Sequence, residues 1–273
     1  MPHSGRTGQS CFRRPSSLQD VTPTRGLALT WVDQIASTQD ETARRARSGA
    51  VAQALATTSQ TSGRGRRGRA WTCPPGAGLA MSVLLRPARY DGWTWLPLLA
   101  GVAVVQAVEG LGATRPALKW PNDVLAQDAK LAGLLAERIE PAGGSAGPAF
   151  VLGVGLNLRE DDLPAGAVAL DQLGVGSSAA TVARAVLDAL EEWLPVWEAG
   201  DDRLAQAYRR ACATLGQWVR LALPDGSQVI GRAVAIDGDG RLLVQLDTGP
   251  PQAFAAGDVV HLRREPTPRT PPG

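Results

Sequence analysis

Thr61-Ser62-Gly63-Arg64-Gly65-Arg66-Arg67-Gly68-Arg69-Ala70-Trp71 is the stretch on which the reading of this chain turns. Four arginines alternate with three glycines, and a tryptophan closes the run. Glycine lets the backbone come close to a ligand, so consecutive N–H groups can converge on anionic oxygens. Arginine adds a planar fork of donors that stays charged at any working pH. The stretch is therefore built to hold an anion. Arg-Gly runs also occur in disordered RNA-binding segments. This run is single and short, however, and lies between two predicted strands, Gln53 to Thr58 and Leu79 to Leu85. A loop pinned between strands points to one ordered ligand pocket.

Upstream, Leu27 to Val32 alternates as a strand, and Ser37-Thr38-Gln39-Asp40-Glu41 opens a helix predicted over Thr38 to Arg47. Ser37 with Asp40, or Thr38 with Glu41, can form a capping box; hydroxyls at a helix start also offer hydrogen bonds to a polar ligand. Downstream, the broad apolar surface of a helix over Trp95 to Leu111 suits a core helix on a sheet, or one shared with a partner subunit. Ala117 to Trp120 reads as a short strand leading into Pro121-Asn122-Asp123. Val124 to Gln127 and Lys130 to Arg138 form a hairpin about Asp128-Ala129, and Ala149 to Leu158 is a further buried strand. Leu163 to Gly176 is a loop, followed by helices over Ala180 to Glu198 and Asp201 to Thr214. From Gly216 the pattern changes to short strands, Trp218 to Leu223, Val229 to Ile236, Leu242 to Leu246 and Val259 to Leu262, which make a small barrel.

The whole chain excludes several classes of function. Its 273 residues, 44% of them hydrophobic, can bury a full core, and a net charge of +2 advertises neither nucleic acid nor a membrane. Cys11, Cys73 and Cys212 are odd in number and far apart, which fits a reducing compartment, the cytoplasm, and suggests neither a disulfide framework nor a zinc site. His3 and His261 are the only histidines, so a histidine acid/base pair is not expected. Residues 1–26 and 266–273 read as disordered tails, 27–214 as the main domain and 215–265 as a small C-terminal one. No stretch of eighteen uninterrupted apolar residues occurs, so no transmembrane helix is expected. Lysine appears only at Lys119 and Lys130, and asparagine only at Asn122 and Asn157. Three of those four residues fall within one twelve-residue stretch and the fourth follows the next predicted strand, which suggests retention where chemistry wants an ammonium or a carboxamide.

Taken together, Ser37-Thr38-Gln39, Gln60 to Trp71, Lys119-Trp120-Pro121-Asn122-Asp123, Lys130-Leu131-Ala132-Gly133 and Gly153-Val154-Gly155-Leu156-Asn157 resemble the signature of the biotin protein ligases. The resemblance runs from about Leu27 to Asn157. Residues after Gly216 are similar to that family's SH3-like C-terminal domain. It implies an α+β fold: a mixed sheet with helices packed on one side, like class II aminoacyl-tRNA synthetases, plus the small barrel. It also implies a two-step reaction, in which biotin attacks the α-phosphate of ATP with Mg²⁺ present and a lysine of a biotin-carboxyl-carrier domain then displaces AMP. Lipoate and octanoate transferases share the fold, but they do not pair an Arg-Gly loop of this kind with Lys-Trp-Pro-Asn-Asp.

Carried over position by position, the resemblance gives Ser37, Thr38 and Gln60 to the biotin ureido group and counts Gln39 among the biotin-binding residues, with Gly133, Gly153 and Gly155 where backbone approaches the ligand. Gly65 and Arg66 lie along the biotin carboxylate, and Arg64 orders over biotin and the phosphates. Arg69 faces the triphosphate, Trp71 stacks on adenine and Asn157 bonds near the base. Lys130 bridges the biotin carboxyl and the α-phosphate; Asn122 and Asp123 lie by the phosphates, Asp123 also by the metal. Lys130, Arg66 and Asp123 form the implied catalytic set. Trp120 and Pro121 are structural. Gln39 stands where the family often has asparagine, and Cys73 where serine is common. The short segment before the first motif leads to the expectation of a ligase without a winged helix, binding no specific DNA and no membrane, as a monomer or homodimer.

Overall fold

The computed structural model describes residues 19–21, 26–71, 74–88, 91–140, 147–161 and 163–262. The expectations for His3, Cys11, Cys73 and the segment from Pro266 fall outside them. An eight-stranded mixed sheet forms the larger part of the fold, from β1 (Gln19–Val21), β2 (Leu29–Trp31), β3 (Gln53–Thr57), β4 (Gly78–Leu85), β5 (Ala117–Lys119), β6 (Asp123–Ala126), β7 (Ala129–Ile139) and β8 (Ala149–Asn157). The spatial order is β1-β2-β3-β4-β8-β7-β6-β5, parallel only between β2 and β3. Four helices accompany it: α1 (Thr38–Arg47), α2 (Leu96–Gly110), α3 (Ala179–Glu198) and α4 (Arg203–Ala211).

Side chains alternate between the faces of a strand, so the two faces of this sheet can be read directly from β8. Phe150, Leu152, Val154 and Leu156 are fully or almost fully buried in the main core with α2 and α3. Val151 packs the other way, in a second cluster with Ala43 and Ala46 of α1, Leu84 and Ile139. The expected one-sided packing of helices is therefore corrected: α1 covers the face opposite α2. It can do so because Ala43 and Ala46 are small enough to let the helix lie close. α2 is by length and apolarity the one helix among the described residues that could cross a membrane. It is apolar all round because the sheet holds one side and α3 and α4 the other, as a central core helix requires.

Several boundaries differ from expectation for local reasons. Gln19–Val21, inside the segment read as a disordered tail, is a strand on the edge of β2; main-chain pairing there needs no apolar side chain. The hairpin turn is Gln127-Asp128, one residue earlier than expected, and both have positive φ, as a tight two-residue hairpin demands. α4 ends at Ala211 because the chain then pairs with β5, Ala213 N–H donating to Leu118 at 2.8 Å.

The C-terminal residues form a five-stranded antiparallel sheet of β9 (Trp218–Ala222), β10 (Gln228–Ile236), β11 (Leu242–Gln245), β12 (Gln252–Phe254) and β13 (Asp258–Leu262), in the order β12-β11-β10-β9-β13. β12 was not expected: it carries no apolar alternation and is recruited by main-chain pairing with β11. Three donors of the larger part grip consecutive carbonyls of the β10–β11 turn. Trp95 Nε1 reaches Gly238 at 2.8 Å, Thr94 Oγ1 reaches Asp239 at 2.7 Å and Trp120 Nε1 reaches Gly240 at 3.0 Å. Trp120 is 1% exposed, so its role in the Lys-Trp-Pro-Asn-Asp motif is to dock the second sheet.

His261 of β13 completes this junction, with Nε2 3.0 Å from Thr214 Oγ1, which itself accepts from Trp120 N–H at 3.1 Å. Having accepted, the hydroxyl has its proton free for an unprotonated Nε2. Burial, with Lys119 nearby, lowers the imidazole below its usual value. The folded state thus favours neutral His261, and its stabilising contribution is complete above about pH 6.5. It is lost as the pH falls through the lower, folded value. Unfolding followed by denaturant between pH 7.5 and 5.5 is expected to show a fall in midpoint that His261→Gln removes. An identical pH slope in the variant would contradict this account.

Candidate functional site

The site lies on the α1 face of the sheet, where strand register lines up small residues. Ala80, Gly155 and Gly133 form one row across β4, β8 and β7, and Ser82, Gly153 and Leu135 form the next. Without side chains the glycines leave a trough. Its occupants are visible: a Cβ on Gly155 would stand 2.3 Å from Trp71 Cε2, and one on Gly153 would stand 2.6 Å from Gln39 Oε1. A Cβ on Gly133 would come within 3.1 Å of Trp71 Cζ3 and 3.3 Å of Lys130 Nζ. Trp71 thus lies directly on backbone, and its ring has Lys130 Nζ 5.7 Å from the centroid.

Trp71 divides the trough. On one side is a cavity of about 130 Å³, lined among others by Thr38, Gln39, Gln60, Arg66, Gly153 and Lys130. On the other is a cavity of about 390 Å³, which shares Ala70, Trp71 and Lys130 and adds Asn157, Pro74 and Leu163. The expected residues are brought together with three exceptions, the first being Asp123, which lines neither cavity and is linked to them through its 2.7 Å ion pair with Lys130. Ser37 does not line the cavity: it is buried as the N-cap of α1 and accepts from Asp40 N–H at 3.2 Å. Asn157 lies in the second cavity, and its Nδ2 donors go to the carbonyls of Lys130 and Val168 at 3.1 and 3.0 Å. Only its oxygen is left for a ligand.

A buried hydrogen-bonded network forms the closed end of the first cavity. Gln60 Oε1 accepts from Thr38 N–H at 2.9 Å, and Ser82 Oγ reaches Thr38 Oγ1 at 2.9 Å and Gln39 Oε1 at 3.1 Å. Gln39 Nε2 donates to Glu137 at 2.9 Å and to Val151 O at 3.2 Å. With their geometry fixed by these bonds, the hydroxyls and amides are set to meet a compact polar ligand group. Ser82 and Glu137 were not anticipated. Ser82 is the lone hydroxyl in the apolar run of β4 and could have been found on that ground; Glu137 carries no such local mark.

At the open end the cations are held by carboxylates. Arg64 is bonded to Asp40 Oδ1 at 2.9 and 2.5 Å and to Glu137 at 3.2 Å. Arg67 and Arg69 pair with Asp258 of β13 at 3.1 and 2.9 Å. Lys130 Nζ lies 2.7 Å from Asp123 Oδ1. Arg66 differs: among the described residues its side chain makes one hydrogen bond, to Asn122 Oδ1 at 2.9 Å, and Asn122 is itself anchored by Nδ2 on Leu134 O at 2.9 Å. Burial pushes the Arg66 pKa down from its usual value. Arg66 is thus the partly desolvated cation at the centre, where a charge acts most strongly.

Beside Lys130 a magnesium ion would find the Asp123 carboxylate, and among the described residues there is no cluster of three acidic or metal-ligating side chains. That donor set fits a cation held chiefly by the phosphates of a bound nucleotide, the usual arrangement for Mg²⁺.

Comparison with known proteins agrees with this geometry. Residues 31–157 match the Biotin/lipoate A/B protein ligase family, and residues 214–262 match the Biotin protein ligase C terminal domain. The chain is 41% identical over 242 residues to a Biotin–[acetyl-CoA-carboxylase] ligase of Mycobacterium tuberculosis, covering 85% of this chain and 88% of that one. It is 32% identical to the Bifunctional ligase/repressor BirA of Escherichia coli, over 69% of this chain and 60% of that protein. The biotin protein ligase of Aquifex aeolicus, solved in complex with biotin and ATP, superposes with a TM-score of 0.74 at 27% identity, covering 86% of this chain and 99% of that one. From the motif set, the glycine-floored site and these matches, the chain belongs to the biotin protein ligases.

Proposed function

We infer that this protein is an ATP-dependent biotin protein ligase, which forms biotinyl-5′-AMP and transfers the biotinyl group to a lysine of a biotin-carboxyl-carrier domain. The observation that carries the reading is the trough itself. A closed polar end, a ring lying on glycine backbone and two cations, Arg66 and Lys130, meet in one cavity.

Biotin enters with its ureido ring at Thr38, Gln39 and Gln60 and its carboxylate toward Arg66 and Lys130. The nucleotide takes the second cavity, with adenine against Trp71 and the Asn157 oxygen. A carboxylate oxygen bonds to the α-phosphorus while the bond from that phosphorus to the bridging oxygen breaks and pyrophosphate leaves. Negative charge grows on the non-bridging oxygens, which Arg66, Lys130 and the Gly-Arg backbone are positioned to meet. Lys130 then exchanges Asp123 for substrate oxygens, and Arg69 exchanges Asp258. Asp123 would hold a Mg²⁺ ion brought in with the nucleotide, which would supply further neutralisation of charge. In the second step the neutral amine of the acceptor lysine attacks the acyl carbon, the carbon–oxygen bond to AMP breaks, and the amine loses its proton.

The same reading takes the five-stranded C-terminal sheet as the family's SH3-like barrel and the large sheet as class II synthetase-like. It takes the protein as cytoplasmic and as a ligase that binds no operator. Incubation with biotin, Mg-ATP and a biotin-carboxyl-carrier domain is expected to add one biotinyl group to the acceptor, read by intact mass. An unmodified acceptor, together with no biotin-dependent ATP–pyrophosphate exchange, would overturn the reading.

A further inference from the structure

The Gly-Arg loop is a small ribbon. Arg64 and Ala70 form an antiparallel bridge, Trp71 N–H donates to Gly63 O at 2.9 Å and Gly65 N–H to Arg69 O at 2.6 Å. Its tip is Arg66 to Gly68, where Arg67 has φ 55° and ψ 36°, a left-handed conformation that an L side chain adopts only when its surroundings hold it there. The consequence is directional. Arg66 turns into the cavity, whereas Arg67, which does not line it, turns out onto the C-terminal sheet.

What holds Arg67 is found at one place on that sheet. Its Nη1 donates to Asp258 Oδ2 at 3.1 Å and its Nη2 reaches the carbonyl of Ala222 at 3.5 Å. Asp258 and Ala222 are register partners on β13 and β9, so the tip of the loop rests on one paired position of the second sheet. The other oxygen, Asp258 Oδ1, accepts from Arg69 Nη2 at 2.9 Å. One carboxylate therefore bridges the two arginines that flank Gly68. Arg66 precedes this anchored pair directly and is linked onward to Asn122.

We propose that Asp258 is a positioning residue for adenylate formation: by fixing Arg67 on the C-terminal sheet, it sets Arg66 and Arg69 toward the reacting carboxylate and phosphates. The inference rests on the ligase reading above and extends it, since it ties a residue of the C-terminal sheet to a site whose two cavities no described residue of that sheet lines. Arg69 is free to leave Asp258 for phosphate, because Arg67 still anchors the loop. Biotin binding at the Thr38–Gln60 end does not depend on the contact.

Full-length enzyme with Asp258→Asn is expected to form adenylate about tenfold more slowly in biotin-dependent pyrophosphate exchange, a size in line with sub-ångström misplacement of a charged donor. The affinity for biotin alone, held mainly at the Thr38–Gln60 end, should fall by much less than the rate, and the melting temperature should stay at the wild-type value. Asp258→Glu should recover part of the rate. Arg67→Ala should match Asp258→Ala, and the double variant should be no slower than the slower single, as expected for two residues acting through one contact. Arg67→Gly, which relieves the left-handed backbone but removes the anchor, should also be slow. Wild-type rates in Asp258→Asn, strictly additive losses, or equal losses of biotin affinity and rate would each overturn the inference. Inactivity of the wild type would instead overturn the ligase reading beneath it.

Discussion

Replacing Lys130 with alanine is expected to slow adenylate formation by about 10²–10³-fold, equivalent to the ~3 kcal/mol associated with one well-placed donor to a developing charge. Two effects act in the same direction. The variant loses an ammonium at the meeting point of both cavities, and it leaves Asp123 without the partner now 2.7 Å away. An unpaired carboxylate beside incoming phosphates adds repulsion. The fold should hardly notice, since Lys130 and Asp123 are 37% and 23% exposed and such a pair contributes less than about 1 kcal/mol. Lys130→Arg keeps the charge but brings a planar fork where a compact ammonium sits over Trp71, so it should rescue only partly. Quenched-flow measurement of adenylate in a variant with unchanged melting temperature separates chemistry from folding. A normal rate in folded Lys130→Ala would remove Lys130 from the reaction.

How much of this was legible in the sequence depended on the range of the interaction. The start of α1, the strands on either side of the Gly-Arg loop and the β6–β7 hairpin follow from residues a few positions apart, and their bounds came within one or two residues of the structure. Thr38, Gln60, Trp71 and Lys130 were found because they sit in runs that resemble the family's. The partners of the arginines were not. Asp40, Glu137 and Asp258 lie 24, 73 and 191 residues from the arginines they hold, and a solitary acidic residue gives no sign of its mate. Asn157 illustrates a different limit. Its motif position suggests a ligand contact, but only tertiary structure reveals that its amide donors tie the carbonyls of Lys130 and Val168. The two-sided packing of the sheet was likewise hidden, because it depends on which strands α1 crosses after leaving β2.

The glycine floor makes the sharpest claim about nucleotide binding. A Cβ at Gly155 would lie 2.3, 2.6 and 2.7 Å from three atoms of the Trp71 ring, while β8 is paired on both sides and cannot retreat. The ring must move instead. It is only half-buried and sits at the end of a surface loop, so the cost to stability should be small. The cost to function should not be, because in the proposed reading Trp71 presents its face to adenine and the displaced ring would not. Base–aromatic stacking contributes about 1–3 kcal/mol, so Gly155→Ala should raise the KM for ATP by roughly 5- to 150-fold. Gly155→Val should do at least as much. At Gly133 the contact to the ring is looser, 3.1 Å, and alanine there should have a milder effect of the same kind. Trp71→Ala provides the control: combined with Gly155→Ala, it should show no further loss, since the clash and the stacking platform are removed together. The measurement is the ATP dependence of biotin-driven pyrophosphate exchange for the four single and double variants. A wild-type KM in Gly155→Ala would mean that the ring does not lie on this floor when nucleotide binds. Additive losses in the double variant would mean that Gly155 acts on nucleotide by some route other than Trp71.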